Sequence, residues 1–229
     1  AKKYDAAVTI SDNRYGFYSG DTHNVYITHQ LRFIMPFLGW LATMLQRRVL
    51  RPFHETWIPD YGDYQSRLSG QLSGQRNDVK FIGPQSALRD VSPIPHAPFD
   101  LLLLLSGPEP QRSVLEARLL SVLNGSGRSV VLVRGITAMP AVASENMEVI
   151  DFAAGPQLRG LMEAARTVIC RSGYSTLADL HIVGKKSYVL VPTPGQPEQL
   201  YLAKYWSEKF GAVAIKQHRL KVELLLRIR

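Results

Sequence analysis

The stretch TVICRSGYSTLADL, Thr167–Leu180, decides the fold. TVIC is a short apolar run of strand type, and STLADL continues into HIVG as a helix that Gly184 closes. Between them stand an arginine, a glycine and hydroxyl side chains. Two readings compete. The first is an ordinary strand–turn–helix junction, with Gly173 supplying a permissive backbone and Ser175 or Thr176 capping the helix. The second is an anion cradle, where free N–H groups and the helix dipole hold a phosphate.

The flanking sequence repeats the strand–helix alternation. DLLLLLS (Asp100–Ser106) is a continuous apolar run, as expected of a strand buried on both faces. EPQRSVLEARLLSVL has helical spacing, SVVLVRG and MEVIDF read as strands, and PQLRGLMEAA as a helix with Pro156 at its start. SYVLVP is a strand, PEQLYLAKYWSEKFG a helix opened by Pro197, and AVAI a last strand. Strands alternating with helices of this length predict a parallel sheet with right-handed crossovers. The first half reads the same way in shorter form. DAAVTISD, NVYITHQ, ETWIPD and VKFIGP are strands, and PFLGWLATMLQRRVL is a helix opened by Pro36. The proline-rich PQSALRDVSPIPHAPF lies between the halves as a linker, so the expected domains are residues 1–88 and 89–229. NGSGRS, before a strand rather than after one, reads as a turn.

Composition narrows the classes. The chain has 229 residues, 45% of them apolar, enough for one large core or two small ones. No apolar run reaches the ~20 residues of a membrane span, and the first residues lack a signal-peptide pattern. The single cysteine, Cys170, forms no internal disulfide and suits a reducing compartment, so the expected location is cytoplasmic. A formal charge of +8 favours anionic partners. Thr22 to His54 holds no acidic residue but contains Arg32, Arg47, Arg48 and Arg51; the tail KQHRLKVELLLRIR is the other basic cluster. At 100° per residue Phe37, Trp40, Leu41 and Met44 share one helix face, which Arg48 and Arg51 continue with Arg47 at its edge. That pattern fits either a helix lying on an anionic membrane surface or a core helix whose last turn emerges into solvent.

In a doubly wound sheet, ligands bind beyond the carboxyl ends of the strands. The loops there are SGPEPQR with Ser106 and Gly107, Arg134-Gly135, RSGYST (Arg171–Thr176) and TPGQPEQ (Thr193–Gln199). Several loops offering glycine, hydroxyl or arginine on one sheet edge point to a phosphate-bearing ligand. No Walker motif, GxGxxG after a strand, HExxH, CxxC, GxSxG or acidic metal cluster is present. The expected site therefore holds no metal and no cofactor, and the chemistry is group transfer or binding rather than hydrolysis.

These motifs also carry a family likeness. CRSGYSTLADL, followed by GKKSYVLVPTPGQPEQLYLAKYW (Gly184–Trp206), resembles the donor-binding domain of the GT-B glycosyltransferases related to MurG. The likeness runs from about Asp100 to Ile215, while SDNRYG and VYITHQ resemble the end of that family's acceptor domain. It implies an α/β, GT-B-like chain of two Rossmann-like domains, the N-terminal one truncated at its front or completed by another chain. The implied activity is inverting, metal-independent transfer of N-acetylglucosamine or a related hexose from a UDP-sugar to a lipid-linked or cell-envelope acceptor. Such an enzyme works at the inner membrane face, with no nucleic-acid partner.

The resemblance assigns Ser172, Gly173, Tyr174, Ser175 and Thr176 to the donor diphosphate, facing Ser106 and Gly107, with Arg134 and Arg171 in the same donor site. Asp179, where the family has Glu, would hold the ribose hydroxyls, and Phe152 would pack on the base. Glu198 and Gln199 stand at the family's sugar-binding Gln pair. His29, in THQ, is the candidate general base or an acceptor-binding residue. Each has a plainer reading: Asp179 as a first-turn charge on the helix dipole, Phe152 as a core aromatic, Glu198 as a solvated helix start. A non-catalytic nucleotide-sugar-binding subunit is the second functional reading, and an epimerase of the same fold a third.

Overall fold

A computed structural model describes residues 5–34, 39–136 and 147–221. Pro36 and Phe37, read above as opening and lining the first helix, lie outside those residues, as does the tail from 222 onward. The chain divides into two compact units, Ala1–Gln85 and Ser86–Arg229.

The first unit is built on four parallel strands, β1 (Val8–Asp12), β2 (His23–Ile27), β3 (Glu55–Ile58) and β4 (Lys80–Phe81), in that spatial order. Register runs Ile10↔Val25, Ile27↔Trp57 and Ile58↔Phe81. Tyr26, Leu31, Leu50, Phe53 and Ile58 form the core, with Tyr15 stacked on Tyr26 at 5.2 Å between ring centres. After β2 comes α1 (Gly39–Val49), which buries Gly39 and Gln46 but leaves Trp40 and Met44 exposed. Beyond β3, the fully buried Asp60 accepts hydrogen bonds from the N–H groups of Tyr61, Leu68 and Ser69, each at 2.8 Å. A buried carboxylate with three such donors fixes the loop that returns the chain to β4.

The second unit holds six strands, β5 (Phe99–Leu104), β6 (Val130–Val133), β7 (Met147–Ile150), β8 (Ala165–Cys170), β9 (Tyr188–Leu190) and β10 (Val213–Ala214). All pairings are parallel, in the order β10-β9-β8-β5-β6-β7. Counted along the unit from the β7 end, that is the 3-2-1-4-5-6 order of a doubly wound nucleotide-binding sheet. Its helices are α2 (Gln111–Leu123), α3 (Gly155–Ala164), α4 (Tyr174–Val183) and α5 (Pro197–Phe210).

The leucine run of β5 supplies both faces, as its lack of alternation predicts. Leu101, Leu103 and Leu105 pack with Leu115 and Leu119 of α2, while Leu102 sits on the other face, fully buried. Each such leucine contributes roughly 1.5–3 kcal/mol by burial. Pro156 and Pro197 stand at helix starts and Gly184 closes α4 with φ +72°, as read from sequence. NGSGRS is a turn, with Gly125 and Gly127 at φ +70° and +68°.

The proline-rich segment differs from the expectation of a linker. From Ser86 onward it belongs to the second unit and runs as a strap over α3. The Arg159 guanidinium of α3 donates to the carbonyls of Leu88 (2.8 Å) and Arg89 (2.9 Å), and Ile94 N–H donates to the Pro156 carbonyl at 3.0 Å. Gly160 is where the strap crosses: a Cβ there would lie 1.8 Å from the Ile94 carbonyl oxygen. Prolines without periodicity read as a linker, but here side-chain and backbone groups 60 or more residues away hold the strap down.

Candidate functional site

The sheet order changes direction between β5 and β8, so the crevice at their carboxyl ends is where a ligand is expected. Ser106 and Gly107 leave β5 there, exposed, with Gly107 at φ +98°. Arg171 to Thr176 leave β8 beside them, and Thr193–Gln199 follow β9 on the far side. Topology thus brings Ser106, Gly107 and Ser172 to Thr176 to one switch point.

The start of α4 is not capped as read. The helix begins at Tyr174, so Ser175 and Thr176 lie inside its first turn, and the capping position falls to Gly173, with no side-chain hydrogen bond. Ser172, expected to face the donor diphosphate, is fully buried and donates to the Gln199 carbonyl at 2.8 Å. Side-chain chemistry therefore leaves the helix start open to a ligand or solvent. Asp179 lies in the second turn, since α4 has no acidic residue in its first; the helix-dipole reading of Asp179 does not hold. Its half-buried carboxylate lies on the same face as Ser175 and Thr176. Oδ1 accepts the Ser86 hydroxyl at 2.6 Å. Burial pushes the carboxyl above its ordinary range, and the Ser86 bond pulls it back. Ser86, missed by the sequence reading, is 93 positions from Asp179, and nothing local signals the contact.

The two arginines have interior partners. Arg171 is 1% exposed: Nη1 donates to the Val191 carbonyl at 3.1 Å and Nη2 to the Gln111 carbonyl at 2.7 Å. It thereby bridges the end of β9 to the start of α2. Nε is buried without a partner, and burial brings the guanidinium down to about 10. Arg134, 7% exposed, pairs with Glu116 at 2.8 Å and Asp151 at 3.3 Å. Glu116 also binds Arg112 at 2.5 Å, and Arg112 reaches back to Glu109. Both guanidinium groups are thus held inside the protein beneath the loops.

Phe152, just past β7, is 58% exposed, so it is not a core aromatic. Gln199 accepts the Thr193 N–H at 2.9 Å and donates to Gln196 at 2.6 Å, which shapes the loop after β9. Glu198, in the first turn of α5, is half-buried. His29 lies past β2 in the first unit, also half-buried. That unit carries a groove of about 660 Å³ lined by Arg32, Phe33, Trp40, Met44 and Arg47. Among the described residues, no group of three or more His, Cys, Asp or Glu is placed to hold a metal ion.

Against known families, residues 115–227 match the glycosyltransferase family 28 C-terminal domain. That match covers most of the second unit. Similar solved structures agree in fold. The glycosyltransferase of kitacinnamycin has a TM-score of 0.66 at 13% identity, over 99% of this chain and 67% of its own. The Acinetobacter baumannii MurG structure gives 0.54 at 14%, over 89% and 56%. The spinosyn rhamnosyltransferase SpnG, complexed with thymidine diphosphate, gives 0.59 at 13%, over 100% and 65%. The chain therefore has a GT-B glycosyltransferase fold related to that of MurG, and spans from about half to two thirds of the length of these structures. No curated protein matches it by sequence.

Proposed function

We propose that the chain is the donor-binding unit and part of the acceptor unit of an inverting glycosyltransferase. It transfers N-acetylglucosamine or a related hexose from a UDP-sugar to a lipid-linked or cell-envelope acceptor. The observation that carries this is the uncapped start of α4 at the switch point of a family 28 domain, opposite Ser106 and Gly107. The bound nucleotide diphosphate of SpnG supports a ligand of that class on this fold.

In this reading the chain's first task is to hold a diphosphate leaving group. N–H groups and hydroxyls at Gly173 to Thr176 face the phosphates, and the helix dipole stabilises the negative charge that builds on UDP as the anomeric bond breaks. Fixed dipoles serve there without reorganising, so the transfer is metal-independent. Asp179 takes the ribose, and exposed Phe152 offers its ring to the base. Gln199 and Glu198 address the donor sugar. Arg171 and Arg134 act through the loops they brace. An acceptor hydroxyl, deprotonated by a base on the acceptor side, attacks the anomeric carbon from the face opposite UDP and inverts it. His29 is the candidate for that base.

The acceptor is an amphiphile on this proposal. The exposed Trp40 and Met44, followed by exposed Arg47, Arg48 and Arg51, suit contact with acyl chains and lipid phosphates. The proposed location is cytoplasmic and peripheral, on the strength of that basic and apolar face; no helix among the described residues is long and apolar enough to cross a membrane. The second reading, a nucleotide-sugar-binding subunit that needs a partner chain, predicts UDP binding without turnover. Measuring UDP release from UDP-N-acetylglucosamine with and without a polyprenyl acceptor, in EDTA and in Mg²⁺, tests both. Acceptor-dependent release that EDTA leaves intact supports the enzyme; release that requires the metal refutes the leaving-group chemistry; binding without release favours the subunit.

A further inference from the structure

The ion-pair chain Glu109–Arg112–Glu116–Arg134–Asp151 runs beneath the loops that leave β5, β6 and β7. Glu116, in the second turn of α2, is its centre. Its Oε2 pairs with Arg112 at 2.5 Å and its Oε1 with Arg134 at 2.8 Å, and the three side chains are 12%, 3% and 9% exposed. Both oxygens of one buried carboxylate are thus given to two buried guanidinium groups, which without it would face each other as like charges.

Each arm of the chain ends at a loop of the candidate site. On one side, Arg112 Nε donates to Glu109 Oε1 at 2.6 Å, and Glu109 Oε2 accepts the Ser113 N–H at 3.2 Å. These bonds fold the loop of Ser106 and Gly107 onto the start of α2. On the other side, Arg134 Nη1 donates to Asp151 Oδ1 at 3.3 Å. The Arg134 N–H donates to the Ile150 carbonyl at 2.9 Å, and the Ile136 N–H to the Asp151 carbonyl at 3.0 Å. Phe152 follows directly and is 58% exposed, so its ring takes its place from the chain that carries it rather than from packing. Between the arms, Gly135 sits at φ +71°, and a Cβ there would lie 2.6 Å from the carbonyl oxygen of Leu105, the residue before Ser106. The three loops are thereby joined, with Glu116 as their shared anchor.

We propose that Glu116 is a positioning residue of the donor site, one that sets the spacing between nucleobase and diphosphate. It acts on Phe152 through Arg134 and Asp151, and on the loop of Ser106 and Gly107 through Arg112 and Glu109. The proposal rests on the donor-site reading and adds to it a residue that reaches the ligand only through others. Glutamine in its place breaks the chain in a definite way. An amide offers one acceptor oxygen, so one arginine keeps its partner and the other meets an N–H₂ donor. The charge lost is negative, so a phosphate bound nearby is not weakened electrostatically.

The test is calorimetric titration with UDP and with inorganic pyrophosphate, for the parent, Glu116→Gln, Phe152→Ala and the double variant. Glu116→Gln weakens UDP about 5- to 10-fold and leaves pyrophosphate at the parental affinity or tighter. Phe152→Ala weakens UDP about tenfold, the worth of one base stacked on an aromatic ring. In that background Glu116→Gln costs UDP about twofold or less, because the ring it places is gone. Asp151→Ala, at the more exposed end of the network, weakens UDP about 2- to 5-fold with pyrophosphate unchanged, and supplies the readout if Glu116→Gln does not fold. Equal losses for UDP and pyrophosphate, or a Glu116→Gln effect undiminished without Phe152, overturn the positioning role while the donor site stands. A parent that binds UDP no tighter than pyrophosphate refutes the base-side reading and the proposal with it; a parent that binds neither refutes the donor site itself.

Discussion

Replacing Arg171 with methionine tests how the candidate site is held together. The side chain is 1% exposed and its guanidinium donates to two carbonyls, Val191 and Gln111. Methionine keeps the length and apolar stem but makes neither bond. The Val191 carbonyl, whose bond to Arg171 is buried, loses a charged donor, at a cost of about 1–3 kcal/mol. The Gln111 carbonyl is only partly buried and recovers a water, so its loss is smaller. Removing a desolvated cation, one that burial has already brought down to about 10, offsets part of both. The net expectation is a destabilisation of about 1–3 kcal/mol, or roughly 2–10 °C in melting temperature for a unit of this size. Binding should suffer more than folding. Arg171 joins the start of α2 to the end of β9, so its loss loosens both loops that flank a diphosphate and removes a nearby positive charge. UDP affinity should fall at least about tenfold while uridine affinity moves less, because uridine carries no phosphate charge. Arg171→Lys should fall between parent and Met, since one ammonium keeps the charge but cannot reproduce the planar two-pronged bridge. Calorimetry of unfolding and titration with UDP and uridine supply the readouts. A methionine variant with the parental melting temperature and UDP affinity would refute the argument.

Gly160→Ala should destabilise the second unit by about 1–3 kcal/mol, because its Cβ meets the Ile94 carbonyl and forces the strap from α3; an unchanged denaturation midpoint would show that the strap is not held there. Asp179→Asn should weaken UDP binding by about 1–3 kcal/mol yet raise the melting temperature near neutral pH. The folded carboxyl sits above its unfolded value, so the native state binds the extra proton and stability falls as pH rises through that window; the gain should vanish in acid, where both states are protonated. Replacing Arg47, Arg48 and Arg51 with Gln should abolish sedimentation with anionic vesicles at low salt and leave UDP affinity unchanged, each basic residue near the leaflet being worth about 1 kcal/mol. Sedimentation like the parent's would place any membrane contact elsewhere.

Periodicity located the strand–helix alternation of the second unit because that information is local. The leucine run of β5 must be buried on both faces, and prolines 156 and 197 can stand only where N–H groups are not needed. Strand order is not local and was not read from the sequence; the observed order puts the switch point between β5 and β8. What was illegible depended on partners far along the chain. Arg134 and Arg171 look alike in sequence, each ending a buried strand. Their different fates come from Glu116 and Asp151, 18 and 17 positions from Arg134, and from carbonyls 20 and 60 positions from Arg171. The strap escaped notice for the same reason. Ser172 has the chemistry of a helix cap, yet its hydroxyl is taken by Gln199, 27 positions away. A local rule fails where a distant group offers a better bond.

The contrast among the three arginines beneath this sheet edge bears on where an anion would settle. Arg112 and Arg134 lie on the β5–β6–β7 side and face Glu109, Glu116 and Asp151, so two positive charges meet three negative ones. That side is neutral to acidic and is braced by ion pairs. Arg171, at the end of β8, meets only carbonyl oxygens among the described residues, and its charge is not cancelled. α4 starts three residues on with no side-chain cap at Gly173, and its dipole has the same sign. In an interior of low dielectric such fixed positive terms reinforce one another. We propose that this uncancelled charge, beside the start of α4, draws an anion to the junction of β8 and α4. That answers why the chain leaves a strand on arginine, serine and glycine: the arginine braces the loops from below and keeps its charge, the serine ties α4 to α5, and the glycine leaves the helix start open.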